Sequence, residues 1–152
     1  MWTEELFQVK KPIIALLHLR PLPGDPLYRP EDTIEQVVRQ GREELHALQD
    51  GGVDGILIAN EFSMPYEEEA SPVTISAISY IVGRLKEDIR VPFGVNVVRS
   101  PRATIEMAAA VGADFVRNAF SGAYLGEGGI TGTNVAAYIR RRKELGAESR
   151  CV

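Results

Sequence analysis

Apolar residues in this chain fall into short unbroken runs, separated by stretches where they recur every three or four positions. The first run, Ile13 to Leu19, follows Pro12 and stops at Arg20-Pro21-Leu22-Pro23-Gly24-Asp25-Pro26. A run of this kind between breakers predicts a strand buried on both faces. The prolines from Pro21 to Pro30 predict an extended loop after it. Asp32 or Thr33 is placed to cap a helix with the stripe Ile34, Val37, Val38, Leu45 and Leu48, which Gly51-Gly52 ends. Asp54 to Asn60 predicts a second buried strand, and Glu61 to Pro72 a loop. The next helix is expected from about Val73 to Asp88, with Ile75, Ile78, Ile81, Val82 and Leu85 on one face. Phe93 to Val98 reads as a third strand. Ser100 is the expected cap of a helix that has Pro101 at its first position and ends at Gly112. Ala113 to Phe120 reads as a fourth strand, and Ser121 to Gly132 as a glycine-rich loop, a mobile lid or plain linker. Thr133 or Asn134 then caps a helix running to about Leu145.

Strand and helix alternate, which argues for parallel strands joined by helical crossovers. An internal echo supports a repeat. Gly52-Val53-Asp54 and Gly112-Ala113-Asp114 share one phrase, and Gly146-Ala147-Glu148 begins it again. Glycine ends a helix and an acid opens the next strand, which reads as a structural turn. Near-continuous apolar strands need cover on both faces, as in a closed barrel or an open doubly wound sheet. No G-x-G-x-x-G or P-loop pattern follows any strand. Polar residues gather instead at the carboxyl ends: His18 and Arg20, Asn60 and Glu61, Asn96 and Arg99, Arg117 and Asn118. The expected class is therefore α/β, a TIM-barrel-type (βα) repeat of about four units out of eight. Residues 1–152 form a single partial barrel domain on this reading, the N-terminal half of a barrel, with 148–152 as an atypical tail.

Composition narrows the function. A length of 152 residues suits one domain, and 45% hydrophobic with 25% charged residues excludes disorder. A net charge of −4 gives no electrostatic footprint for nucleic acid. The basic run Arg140 to Lys143 is short, lacks aromatic partners, and complements a helix C-terminus. No stretch approaches the roughly 18 apolar residues of a membrane span. Met1 to Lys11 has no apolar core run and does not read as a signal peptide. The lone Cys151 cannot form an internal disulfide, which suits a reducing, cytoplasmic setting.

His18, near the end of the first strand, could act as acid, base or metal ligand, or hydrogen-bond the proline loop. Glu61 could be a general base or hold a hard cation, or it could cap its loop or pair with an arginine. Asn96 lies inside an apolar strand and must be hydrogen-bonded, either to a neighbouring strand or to a substrate. Strand alternation sends Arg117 and Asn118 to opposite faces. Arg117 suits a phosphate or carboxylate, and an ion pair with Glu61 or Asp25 is its structural alternative. No paired cysteines or H-E-x-x-H spacing marks a metal site, and no cofactor is assigned.

Several of these segments carry a family resemblance. His18-Leu19-Arg20-Pro21-Leu22-Pro23-Gly24 resembles the HLxPLPG signature of the BtpA family. Phe93-Gly94-Val95-Asn96-Val97-Val98-Arg99 resembles its GVNV strand. Gly51 to Gly55, Gly112 to Arg117 and Ser121 to Tyr124 resemble further family segments, so the resemblance covers Lys11 to Ala147. Asn60 to Tyr66 is similar to the SgcQ branch. The resemblance implies a TIM-barrel parent, an enzyme acting on a small sugar-like or phosphorylated metabolite, with this half alone inactive. His18 and Glu61 would be catalytic, and Arg20, Asn60, Asn96 and Arg117 would bind substrate. It implies, alternatively, a non-enzymatic assembly or stability factor for photosystem I. A self-associating half-barrel, pairing through open sheet edges, is the third expectation.

Overall fold

Crossover helices bury the apolar runs from one side, so the runs pair side by side as parallel strands rather than as hairpins. The computed structural model describes residues 2–126, 129–147 and, for the backbone, 150–151. In chain order the elements are α1 (Trp2–Phe7), β1 (Ile14–His18), α2 (Ile34–Asp50), β2 (Gly55–Ala59) and α3 (Pro72–Leu85) with a 3₁₀ turn, Lys86–Asp88. Then come β3 (Phe93–Asn96), α4 (Pro101–Val111), β4 (Phe115–Val116), β5 (Ala123–Gly126), β6 (Gly129–Gly132), α5 (Val135–Glu144) and β7 (Arg150–Cys151). The main sheet has the order β1-β2-β3-β4-β7, every neighbouring pair parallel. Sequence order and spatial order coincide, without the reversal that marks the switch point of a doubly wound sheet.

The two sheet faces differ. Leu17, Ile56, Ile58, Phe93, Val95 and Val116 face the helices and join Val38, Leu45, Ile78, Ile81, Leu85 and Met107 in the main core. On the opposite face Leu57 and Phe115 pack with Phe7 of α1. The Phe7 and Phe115 rings meet edge to face at 5.5 Å. Phe115 lies across the backbone of β3, and a Cβ on Gly94 would come within 2.3 Å of its ring. Above this apolar layer on the same face sit His18, Ala59 and Asn96, aligned by register.

The echoed acids are structural, as the repeat suggested. Asp54 Oδ2 accepts the Ile13 amide at 2.7 Å, and Asp114 Oδ2 accepts the Phe93 amide at 2.9 Å. Each acid clasps the start of the preceding strand. Glu148, where the phrase would recur, lies outside the described residues, as do Ser149 and Val152 of the expected tail. Arg150–Cys151 pairs with β4 as a further parallel strand, so these two residues are part of the sheet.

Three expectations require correction. The glycine-rich loop is not a plain linker: Ala123–Gly126 and Gly129–Gly132 pair antiparallel, with Thr131 opposite Tyr124. The fourth strand is two residues long, not eight, because the chain turns away after Val116. Ser100 occupies the cap position of α4 but makes no capping hydrogen bond; its Oγ accepts the Ala70 amide at 2.7 Å instead. At α2 the choice falls on Thr33, which forms a capping box with Gln36, while Asp32 is held by Arg29.

Replacing Gly94 by Ala should destabilise the fold by about 1–3 kcal/mol, because Phe115 must leave its place. Ala at Gly83, an exposed α3 position with open space around it, should instead stabilise by up to about 1 kcal/mol. Urea unfolding of both variants checks the pair; a neutral Gly94→Ala would remove Phe115 from its assigned position.

Candidate functional site

Parallel strands leave their carboxyl ends at one rim, and the loops that follow must assemble there. A cavity of about 1250 Å³ opens at this rim, beside the ends of β2, β3 and β4. Glu61, Glu68 and Glu69 line it from the β2–α3 loop, and Asn96, Arg99 and Arg117 from the ends of β3 and β4. Tyr124, Thr131 and Thr133 close it from the hairpin side.

The structure brings Glu61, Asn96 and Arg117 of the sequence-predicted set together around this cavity. Asn96 is 6% exposed, and its Oδ1 accepts Asn118 Nδ2 at 3.0 Å. The same Nδ2 reaches the Val97 carbonyl at 2.8 Å and Thr104 Oγ1 at 3.0 Å. Arg117 and Asn118 both line the cavity, contrary to the alternation argument, because the strand ends at Val116 and alternation stops with it. Nor does Arg117 pair with Glu61 or Asp25. Asp25 Oδ2 takes the Leu22 amide at 2.6 Å and Ser63 Oγ at 2.7 Å, and Glu61 Oε2 takes the Tyr66 hydroxyl at 3.1 Å.

His18, Arg20 and Asn60 are not among the residues lining the cavity. Asn60 is buried and its Oδ1 accepts the Val98 amide at 2.8 Å, which ties β2 to the segment leaving β3. His18 and Arg20 gather around Phe62: the histidine ring meets it at 6.5 Å, and the guanidinium carbon lies 5.8 Å from its centroid. His18 Nε2 is buried without a hydrogen-bond partner, so the proposed tie to the proline loop is not made through that atom. His18 and Asn96 share a register row and a face, separated by two strand spacings, about 10 Å.

Arg99 was not among the sequence-predicted site residues. It lies three residues beyond the end of β3, adopts φ 61°, and donates from Nη2 to Thr131 Oγ1 at 3.1 Å. A non-glycine residue in this region is uncommon and worth explaining at a cavity. Its place immediately after the strand expected over Phe93 to Val98 was the available signal.

Electrostatics divides the rim. Burial pushes the Tyr66 phenol upward, and its hydrogen bond to Glu61 adds to the shift. Burial also pushes Glu106 upward, yet the guanidinium groups of Arg102 and Arg141 together outweigh it and hold the carboxyl below its ordinary range. Those contacts are 3.0 and 2.7 Å long. No group of three or more His, Cys, Asp or Glu among the described residues is arranged to hold a metal ion. No described helix is long and apolar enough to cross a membrane.

The family model described as the BtpA family matches residues 9–152, the tail included. The chain belongs to the BtpA family. It is 43% identical over 146 residues to the sgc region protein SgcQ of Escherichia coli strain K12, covering 96% of this chain and 54% of that protein. It is 33% identical over 147 residues to the photosystem I biogenesis protein BtpA of Synechocystis, covering 95% and 50%. An uncharacterized protein of Methanocaldococcus jannaschii, MJ1115, is 34% identical over 123 residues, 80% of this chain and 46% of that one. The chain thus spans about half the length of the curated relatives it matches. In this BtpA-family chain the segment His18 to Asp25 anchors one loop to the next: Leu22 is fully buried, Gly24 turns at φ 98°, and Asp25 joins Ser63 of the β2–α3 loop.

The Glu106 tie carries a pH signature. A carboxyl held low in the folded state stabilises the fold above its ordinary range, and that contribution is lost as pH falls through the folded value. Docking of α5 on α4 should therefore weaken on acidification below about pH 4.3, the usual glutamate value. Amide exchange in α5 should rise there, and Glu106→Gln should flatten the dependence; identical profiles for both proteins would refute the assignment.

Proposed function

We propose that the ordered parallel sheet is the leading half of an eight-stranded (βα) barrel, whose whole protein is a cytoplasmic enzyme acting on a small sugar-like or phosphorylated metabolite. The observation that carries this reading is the cavity at the carboxyl ends of β2, β3 and β4, lined by Glu61, Asn96 and Arg117. Barrel enzymes place their chemistry at this end, on residues from several strands. The sequential strand order and the apolar layer of Phe7, Leu57 and Phe115 at the opposite end also suit a barrel. An intact barrel takes about 250 residues, so catalysis belongs to the whole protein and this chain alone should be inactive.

In this reading Glu61 serves as acid or base, with Tyr66 on one oxygen leaving the other to reach a substrate proton. Asn96 and Arg117 anchor polar groups of the ligand. His18 stands on the inner face two strands away from Asn96 and serves a ligand that extends across the mouth, with Arg20 and Phe62 beside it. Asn60 contributes by fixing the rim, since its carbonyl oxygen is already engaged.

Isothermal calorimetry against a panel of neutral sugars, sugar phosphates and amino acids tests the ligand class. Sugar-like compounds should bind, and Glu61→Gln or Asn96→Ala should weaken them about tenfold, the cost of one hydrogen bond involving a charged or buried group. Binding of none of the sugar-like compounds, by this chain or by a full-length relative, would refute the reading.

One observation favours self-association as a second property. Ile13 is 64% exposed and Leu16 47%, and β1 has no described strand on its outer side. An open apolar edge seeks a partner. Light scattering should give a mass above the 16.7 kDa of one chain, and Leu16→Lys should lower it; a clean monomer at high concentration would exclude the pairing. Support of photosystem I assembly rests on the name of the Synechocystis relative alone.

A further inference from the structure

Six arginines of this protein are held in ion pairs. Arg29, Arg42, Arg84, Arg90, Arg102 and Arg141 each hold a carboxylate within 3.6 Å. Arg99 and Arg117 do not, although both line the large cavity. The carboxylates that share the cavity do not neutralise them. Glu106 is committed to Arg102 and Arg141 on the helix side. Glu61 is hydrogen-bonded to Tyr66, and Glu68 and Glu69 belong to the same β2–α3 loop. No described carboxylate lies within ion-pair distance of either guanidinium, so two cations from adjacent strand ends share one cavity, neither of them in an ion pair with a described residue.

We infer that Arg99 and Arg117 form a two-point site for a phosphoryl group, placed at the ends of β3 and β4. The inference rests on the reading of this cavity as a small-molecule site and specifies its ligand: a phosphorylated polyol. A guanidinium presents a planar fork of donors that matches phosphate oxygens, and two forks suit a dianion better than a carboxylate. Glu61, Glu68 and Glu69, which line the same cavity from the β2–α3 loop, would repel a phosphate but accept hydrogen bonds from hydroxyl groups. The distribution of charge therefore orients the ligand, phosphoryl group toward β3 and β4 and hydroxyls toward the β2–α3 loop. Asn118 makes this arrangement rigid, because its amide nitrogen ties Asn96, Val97 and Thr104 together directly after Arg117.

Arg99 is the distinctive member. Its backbone at φ 61° turns the chain out of β3, and its Nη2 already donates to a hydroxyl oxygen, Thr131 Oγ1. That bond leaves further donors of the same guanidinium for phosphate oxygens. It also connects the site to the β5–β6 hairpin, so an anion held here bears on the position of β6.

Inorganic phosphate titrated into the ¹⁵N-labelled chain, with chloride matching the ionic strength, tests the inference. The side-chain Nε–H signals of Arg99 and Arg117 should shift saturably and with one common Kd, while the exposed Arg140 on α5 follows only the bulk. Arg117→Gln should weaken phosphate binding about tenfold or more and abolish the response of Arg99. Arg99→Gln should do the same to Arg117; glutamine meets the same backbone cost at φ 61°, so the variant removes charge without altering strain. Linear, unsaturable shifts, or full phosphate affinity in the double variant, would overturn the site. A comparison of ribose with ribose 5-phosphate separates this inference from the broader reading. Equal affinity for the two, unchanged in the arginine variants, sinks the phosphoryl site and leaves a sugar site standing. Saturable phosphate binding without any gain from the polyol keeps the phosphoryl site and removes the sugar-like ligand.

Discussion

Parallel strands cannot set their register through a tight turn, because each connection is a crossover of about a dozen residues or more. Here side chains do that work at both ends of the sheet. Asp54 and Asp114 hold the amides of Ile13 and Phe93 at the strand starts. Asn60 and Asn118 hold the Val98 amide and the Val97 carbonyl where β3 ends. With both ends clasped, a one-residue slip would break these hydrogen bonds and turn each strand over. The rest of the molecule depends on that register: which residues meet the helices, and which emerge at the rim.

Fixed register divides the inner face of the sheet into an apolar layer and a polar one. Phe115 can lie flat on β3 only because position 94 has no side chain, and Phe7 of α1 seals the layer from below. One step higher along the strands the same face carries His18 and Asn96. The apolar layer supplies burial, and in the polar layer above it Asn96 lines the cavity. An apolar layer and a row of polar residues thus follow one another along the same face of the strands.

Charge follows a similar partition. On the helix surfaces arginines and carboxylates meet in pairs, and exposed pairs of that kind add little to stability. Glu106 shows what a carboxylate gains when two guanidinium groups converge on it. At the rim, acids of the β2–α3 loop line one cavity with Arg99 and Arg117 and form no ion pair with them.

Much of the fold was legible in the sequence. Apolar runs between breakers located β1, β2 and β3, helical spacing located α2, α3 and α4, and the repeated Gly-x-Asp phrase was correctly a turn, because all of these are local patterns with local causes. The family was legible in the segments around His18 and Asn96. The site was only half legible. Residue type and position at strand ends pointed to Glu61, Asn96 and Arg117, which do share a cavity. They also pointed to Asn60, which does not line that cavity and whose carbonyl oxygen accepts the amide of Val98, a residue far along the chain. Periodicity carried Arg117 and Asn118 to opposite faces, but β4 ends before them. The β5–β6 hairpin escaped notice because its glycines hide the alternation, and the contact of Arg99 with Thr131 because the two are distant in sequence. By itself the sequence determined the alternation of strands and helices and the chemistry available at the rim. Which polar atoms are consumed in holding strands together, and which remain free to meet a ligand, was decided only in three dimensions, because hydrogen-bond partners are chosen by proximity in space.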